Sequence, residues 1–362
     1  MTTQETDRTQ ALADRIFGAT IESLELMSVY LGDKLGLYQS LHDKGPASAS
    51  ELAERTGSDR RYLREWLEQQ AVAGFLEVER EAEDPDERSF LLPEAHIGVL
   101  VGPEHAAYVA PFSRMLAGIG QALPLVVDAY GTGRGVDWSA YGEDARMGQS
   151  AINRPAFTTD LVTDWLPSIR DVHRRLQADP PARIADIGCG EGWSSIAMAG
   201  AYPSARVDGF DLDEASIEAA RRHADAASMD HRLRFEARDA AGAEFTGSYD
   251  LVCIFEALHD MSHPVEALET ARGMLAPGGS VLVADERVAD AFAAPGDEVE
   301  RMMYGWSILC CLLTGRTEPG SAATGTVMRT DTLRRYARAA GLSDVEVLPI
   351  ENDLFRFYLL KP

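Results

Sequence analysis

The stretch "RIADIGCGEGWSSIAMA", Arg183 to Ala199, sets Gly188, Gly190 and Gly192 between an apolar run and a helix-forming segment. Strand, glycine turn and helix start are the parts of a nucleotide-binding βα unit. A dinucleotide fingerprint reads G-x-G-x-x-G, its third glycine letting the helix pack while the helix N-terminus takes a pyrophosphate. Here the third position is Trp193, whose indole is expected to crowd a pyrophosphate, and the acid Asp186 stands two residues before the first glycine. A glycine turn beside a carboxylate suits a nucleoside that carries cationic groups and no phosphate. S-adenosylmethionine, with its sulfonium and α-amino charges, fits that description.

Ligands of open parallel sheets lie across the carboxyl ends of the strands, so acids at strand ends are the next candidates. Asp211 closes the apolar run "RVDGFDLD" and could accept both ribose hydroxyls, with Leu212 beside it to pack on a flat adenine ring. Asp239 and Ala240 close "RLRFEARDA" and could read the adenine amino group and a ring nitrogen. Acids are common after strands, so each position is weak alone; placement on successive strand ends is the stronger signal.

These positions need a sheet behind them. From Arg183 onward the runs "RIADIG", "RVDGFDLD", "RLRFEARDA", "YDLVCIFEA", "GSVLVADE", "DVEVLPI" and "FRFYLLK" alternate with helical segments such as "EASIEAARRHADAA". That alternation predicts an α/β fold, a doubly wound and mainly parallel seven-stranded sheet with helices on both faces. The last two runs lie close together and predict a terminal antiparallel hairpin.

Before residue 100 the text differs. "RIFGATIESLELMSVYLGDKLGLYQSL" has helical apolar spacing, "SASELAERTG" is a short helix between a serine cap and a glycine stop, and "SDRRYLREWLEQQAVAGFL" is a third helix. "LEVEREAEDPDERSFLLP" then alternates about a proline-containing turn, as a hairpin does. Helices followed by a wing predict a winged helix. Arg60, Arg61 and Arg64 would serve DNA binding, but the wing carries Glu77, Glu79, Glu81, Glu83, Asp84, Asp86 and Glu87, the wrong sign for a phosphate backbone. Dimerisation is the expected role, through an apolar stripe of Ile21, Leu24, Leu26, Val29 and Leu31. The organisation expected is a winged-helix-like dimerisation domain at 1–102, a helical linker and lid at 103–180 and a nucleoside-binding domain at 181–362.

Composition narrows the class. The 362 residues carry a formal charge of -24, which repels nucleic acid. The longest nearly apolar run, Met302 to Gly315, falls short of the roughly 20 residues that cross a bilayer, and the polar start has no apolar signal segment, so a cytoplasmic protein is expected. Cys189, Cys253, Cys310 and Cys311 show no C-x-x-C spacing, so neither a disulfide framework nor a metal site is expected. Cys310 and Cys311 read as two small apolar residues of a buried helix.

On "ADIGCGEG", "VDGFDLD", "EARDAA", "FEALHDM" and "LAPGGSVLVADE", in that order, the second half resembles the class I S-adenosylmethionine-dependent methyltransferases. With the winged-helix start, nearly the full chain is similar to bacterial small-molecule methyltransferases that dimerise through their N-terminal domain. The resemblance implies that Asp186, Gly188, Cys189, Gly190, Asp211, Leu212, Asp239, Ala240 and Phe255 line the cofactor site. It also implies that His259, in a match to the first three positions of an L-H-D-W motif, takes the proton from an acceptor hydroxyl with Asp260 beside it. Asp285, or its neighbour Glu286, would orient that ring. Met261 replaces the motif's tryptophan, a departure at the acceptor wall. The segment 287–330 reads as an insertion near the acceptor, with Tyr141, Met303 and Trp306 as expected lining. An unperturbed imidazole would titrate near about 6.5. Two other functions fit parts of the pattern: a ligand-sensing winged-helix regulator, and an enzyme of the same fold that does not methylate.

Overall fold

A computed structural model of the protein describes residues 3–229, 231–239 and 248–362. The chain divides into two compact units, one running to Gly118 and taking in Met147–Pro155, the other comprising Ile119–Arg146 and Ala156–Pro362. The expected linker, 103–180, is shared between them.

The first unit is a winged helix. A long helix, Thr3–Lys34, breaks at Gly36, whose φ of 65° turns the chain into the helix Leu37–Lys44. Strand β1 (Ala47–Ser48) leads into the helix Ala49–Thr56, where Ser48 and Glu51 form a reciprocal capping box and Gly57, at φ 74°, stops the helix. The helix Arg60–Val72 is capped by Asp59 and followed by β2 (Glu77–Arg80) and β3 (Ser89–Leu91). The three strands form an antiparallel sheet in the order β1-β3-β2. Leu37, Tyr38, Leu52, Leu63, Leu67 and Phe90 fill the core. Gly32 permits the long helix to approach it, because a Cβ there would lie 2.3 Å from Tyr38 and 2.6 Å from Trp66.

Charges on the helix Arg60–Val72 are matched within the unit: Arg60 and Arg64 pair with Asp86 of the wing, and Arg61 with Glu65. The expected apolar stripe divides in two. Val29 is buried and Leu26 packs against the core, whereas Ile21, Leu24 and Leu31 face outward together with Leu12, Ile16 and Phe17.

The second unit is built on a seven-stranded sheet of β4 (Arg183–Ile187), β5 (Arg206–Asp211), β6 (Leu233–Ala237), β7 (Tyr249–Phe255), β8 (Leu275–Glu286), β9 (Asp344–Val347) and β10 (Phe355–Lys361). Their order is β6-β5-β4-β7-β8-β10-β9. The first five are parallel, and β10 runs antiparallel to both β8 and β9, the expected terminal hairpin. Both faces are covered. Along β7, Leu251, Cys253 and Phe255 join one core while Val252 and Ile254 join the other, which is why the strand reads as a continuous apolar run. Strand order reverses between β4 and β7, and the crevice at such a reversal is where this architecture holds ligands. Among the described residues no helix is long and apolar enough to cross a membrane.

Candidate active site

The glycine turn leaves β4 at this reversal. Gly188 and Cys189 both donate their N–H to the Phe210 carbonyl, at 2.8 and 3.1 Å, bending the chain back over β5. A Cβ at Gly188 (φ 73°) would lie 2.5 Å from that of Ala257, so only glycine lets the turn lie against the segment after β7. Gly190, at φ 52°, has nothing within 4 Å of where a Cβ would stand. Its backbone therefore borders open space, a place for a ligand to approach.

The acids of this site do different work. Asp186 is buried, and its Oδ2 accepts the hydroxyls of Ser194 and Ser195, each at 2.6 Å. Burial pushes its carboxyl up to about 6 against those two hydrogen bonds. Asp186 thus ties the end of β4 to the first turn of the helix Trp193–Ala201 and holds the glycine turn from beneath. Asp211 stands at the lip: Oδ2 accepts the Gly190 N–H at 2.8 Å and Oδ1 the Asp213 N–H at 2.9 Å. Enclosure raises this carboxyl, and the N–H donors of Asp213, Gly190 and Leu212 hold it down. Each oxygen keeps acceptor capacity beyond those bonds, enough for a pair of ribose hydroxyls.

This arrangement corrects the expected reason for excluding a dinucleotide. Trp193 does not crowd the turn; its ring stacks on His223 of the neighbouring helix, with centroids 4.3 Å apart. What a pyrophosphate would meet is Asp211, already bonded to the Gly190 N–H and of the same charge. The turn with Asp211 at its lip fits a nucleoside with cationic groups better than any phosphate.

The other expected cofactor residues divide. Leu212 is 70% exposed beside Asp211, free to cover a flat ring. Cys189 contributes backbone, since its side chain is in the core. Phe255 was expected to line the cofactor site, but its ring packs on Phe157 at 5.8 Å within the same core, because the alternation of β7 turns it inward. Asp239 follows β6 on the surface, and Ala240 lies outside the described residues. Sequence reading missed Arg146, which pairs with Glu191 inside the glycine turn; both side chains are largely buried. Arg146 belongs to the segment 103–180, so part of that segment packs on the turn.

His259 follows β7 on a short helical turn, Leu258–Asp260. It is 3% exposed, and Nδ1 lies 2.9 Å from Oδ1 of Asp285, itself buried at the end of β8. Nε2 points to Oδ1 of Asp260 at 3.4 Å. Burial opposes the charged ring, but the charges of Asp285 and Asp260 and the ring's hydrogen bonds to Asp285 and Cys311 together outweigh it and raise its pKa well above 6.5. Glu286, the alternative orienting acid, is turned to Glu256 instead. Burial first, then the neighbouring Glu256 carboxyl, push its pKa well up. Glu256 holds φ at 49°, a conformation uncommon for any residue but glycine and one that collects at functional sites.

The insertion covers this pair. The helix Glu298–Trp306 passes through a π-helical turn, Ser307–Cys311, of the kind often found at functional sites. Tyr141, fully buried, donates its hydroxyl to the Leu309 carbonyl at 2.8 Å. Met303 is buried and Trp306 half-buried on the same helix. Cys310 is buried as expected, and the Cys311 sulfur lies with a ring nitrogen of His259 and a carboxylate oxygen of Asp260 in a group whose atoms are all within 4.8 Å of one another.

Known proteins share this plan. A family model described as a methyltransferase domain matches residues 179–326, and one described as an Rv2258c-like winged HTH domain matches residues 23–101. A ubiquinone biosynthesis O-methyltransferase of Aromatoleum aromaticum (strain DSM 19018 / LMG 30748 / EbN1) is 30% identical over 182 residues, 49% of this chain and 71% of that one. Its counterpart in Xanthomonas campestris pv. campestris (strain B100) is 33% identical over 115 residues, 32% of this chain; the chain spans about half, 47%, of that relative's length. The solved structure of mitomycin 7-O-methyltransferase superposes with a TM-score of 0.70, covering 98% of this chain and 99% of that one at 19% identity, a likeness of fold.

Proposed function

Because the chain belongs to the class I S-adenosylmethionine-dependent methyltransferases that carry an N-terminal winged-helix domain, we propose that it methylates a hydroxyl oxygen of a small molecule, with His259 as general base. The observation that carries this reading is the buried His259 to Asp285 hydrogen bond of 2.9 Å at the carboxyl ends of β7 and β8. When bound, S-adenosylmethionine supplies a methyl group activated on a sulfonium. The Gly188 to Gly190 turn and Asp211 would hold its nucleoside, Leu212 would cover the adenine, and Asp239 would reach the ring's edge. His259 Nε2 would take the acceptor's proton while Asp285 fixes the ring through Nδ1, and such a base contributes about 10²- to 10⁴-fold. Asp260 would orient the acceptor hydroxyl. Tyr141, Met303 and Trp306 would wall the acceptor from water, which favours an apolar or aromatic compound.

The raised pKa of His259 decides the test. The rate should climb with pH through a midpoint above 6.5, because only the unprotonated ring accepts a proton. S-adenosylhomocysteine release, measured across about pH 6 to 10 with a panel of phenolic and alcoholic acceptors, reports that limb. A flat profile would remove the base role. For stability the sign is opposite: a cation favoured in the folded state contributes fully below the unfolded value of about 6.5 and is lost as pH rises through the folded one.

We infer a homodimer formed through the exposed face of the first helix, where Leu12, Ile16, Phe17 and Leu24 are each more than half exposed. Light scattering should report about twice the 39.4 kDa chain mass; a monodisperse monomer would exclude it. The four free thiols suit a reducing compartment, so a cytoplasmic location is proposed, which recovery of the protein outside the cytoplasm on fractionation would overturn.

A further inference from the structure

Nδ1 of His259 is committed to Asp285, which leaves Nε2 with a lone pair when the ring is neutral. The atom it faces, Asp260 Oδ1 at 3.4 Å, is buried although 41% of the side chain is exposed, and the Cys311 thiol lies beside that carboxyl. A proton on Nε2 joins the two atoms as an ion pair, and once that proton has left they offer a cation two donors. The third neighbour, Cys311 Sγ, completes a nitrogen, oxygen and sulfur set within 4.8 Å. We propose that His259 Nε2, Asp260 Oδ1 and Cys311 Sγ bind a divalent cation of the zinc type.

The spacing of the nitrogen and oxygen donors agrees. Tetrahedral zinc bonds of about 2.0 to 2.2 Å to nitrogen and oxygen set those two donors about 3.3 to 3.5 Å apart. The 3.4 Å between Nε2 and Oδ1 is that edge. The ring is already oriented by a carboxylate on its far nitrogen, the outer arrangement metal-bound histidines keep. Three protein donors leave a fourth position for water or an acceptor oxygen, as in reactive zinc sites. On binding, the Cys311 thiol loses its proton to solvent as sulfur bonds the cation, and any proton on Nε2 leaves likewise. Because Nε2 cannot bond a cation and take a proton together, a bound cation would switch the base off. That consequence rests on the reading of His259 as base; the binding does not.

Cobalt(II) is the probe. Added to the untagged, reduced full chain, one equivalent should produce a thiolate-to-cobalt charge-transfer band and the visible bands of tetrahedral cobalt, all displaced by zinc. Cys311→Ser should abolish the charge-transfer band, Asp260→Asn should weaken binding at least about tenfold, and Cys310→Ser should leave the spectrum unchanged. Circular dichroism of each variant confirms that a lost band is a lost donor. Absence of the thiolate band in wild type, its survival in Cys311→Ser, or its loss in Cys310→Ser alone would overturn the site. S-adenosylhomocysteine titration separates the two readings: failure to bind it counts against the methyltransferase assignment, and a missing cobalt band against the metal site.

Discussion

Replacing His259 with Asn is expected to lower turnover by about 10²- to 10⁴-fold while leaving the affinity for S-adenosylhomocysteine within about threefold. Asparagine is the informative substitution because its amide can still donate to Asp285, keeping that buried carboxylate partnered while removing the acceptor nitrogen. His259→Ala should lose the same activity and also stability, since Asp285 is 1% exposed and its Oδ2 already has no partner. Stranding a buried charge costs about 3 to 5 kcal/mol. A residue that only shaped the turn would behave differently, with Asn nearly active and Ala weak in stability and cofactor binding together. Turnover within threefold of wild type in the Asn variant would leave alignment of donor and acceptor as the source of rate, and would point to an amine or carbon acceptor.

Removing the Asp211 carboxylate should weaken S-adenosylhomocysteine binding at least about tenfold, because hydrogen bonds to a charged group are worth about 1.5 to 3 kcal/mol each. The structure adds a second contribution. Asp211 Oδ2 also holds the Gly190 N–H, so Asp211→Ala loosens the turn as well as losing the ribose acceptor. Asp211→Asn distinguishes them: its amide oxygen can keep Gly190 in place while offering one acceptor fewer. Calorimetric titration of both variants should rank wild type, Asn, then Ala in falling affinity. Unchanged affinity in the Ala variant would remove Asp211 from the ribose site.

The sheet was legible because burial on both faces demands uninterrupted apolar runs, and β4, β7 and β8 carry them. The strand-end acids could be found for the same reason, since a strand's end is visible where its apolar run stops. Which partner each acid takes was not legible. Asp285 and Glu286 are adjacent, and only the pleat, set by pairing of β8 with β10 at Arg356 and Phe355, decides which one faces His259. Asp186 turns to two serines on the following helix. Trp193 misled the reading because a first-turn residue was assumed to point into the glycine loop, whereas helix geometry sends it back against His223. Cys311 was the most distant, brought to His259 by the path of an insertion whose periodicity says only that it is helical.

Whether the cleft over β4 and β5 holds the nucleoside of S-adenosylmethionine is read by calorimetric titration of the wild-type chain with S-adenosylhomocysteine, which needs no methyl acceptor. One molecule per chain should bind with a dissociation constant in the micromolar range, about 8 kcal/mol of binding free energy. No heat from folded protein at ligand concentrations approaching about 1 mM, some 4 kcal/mol weaker, would contradict it.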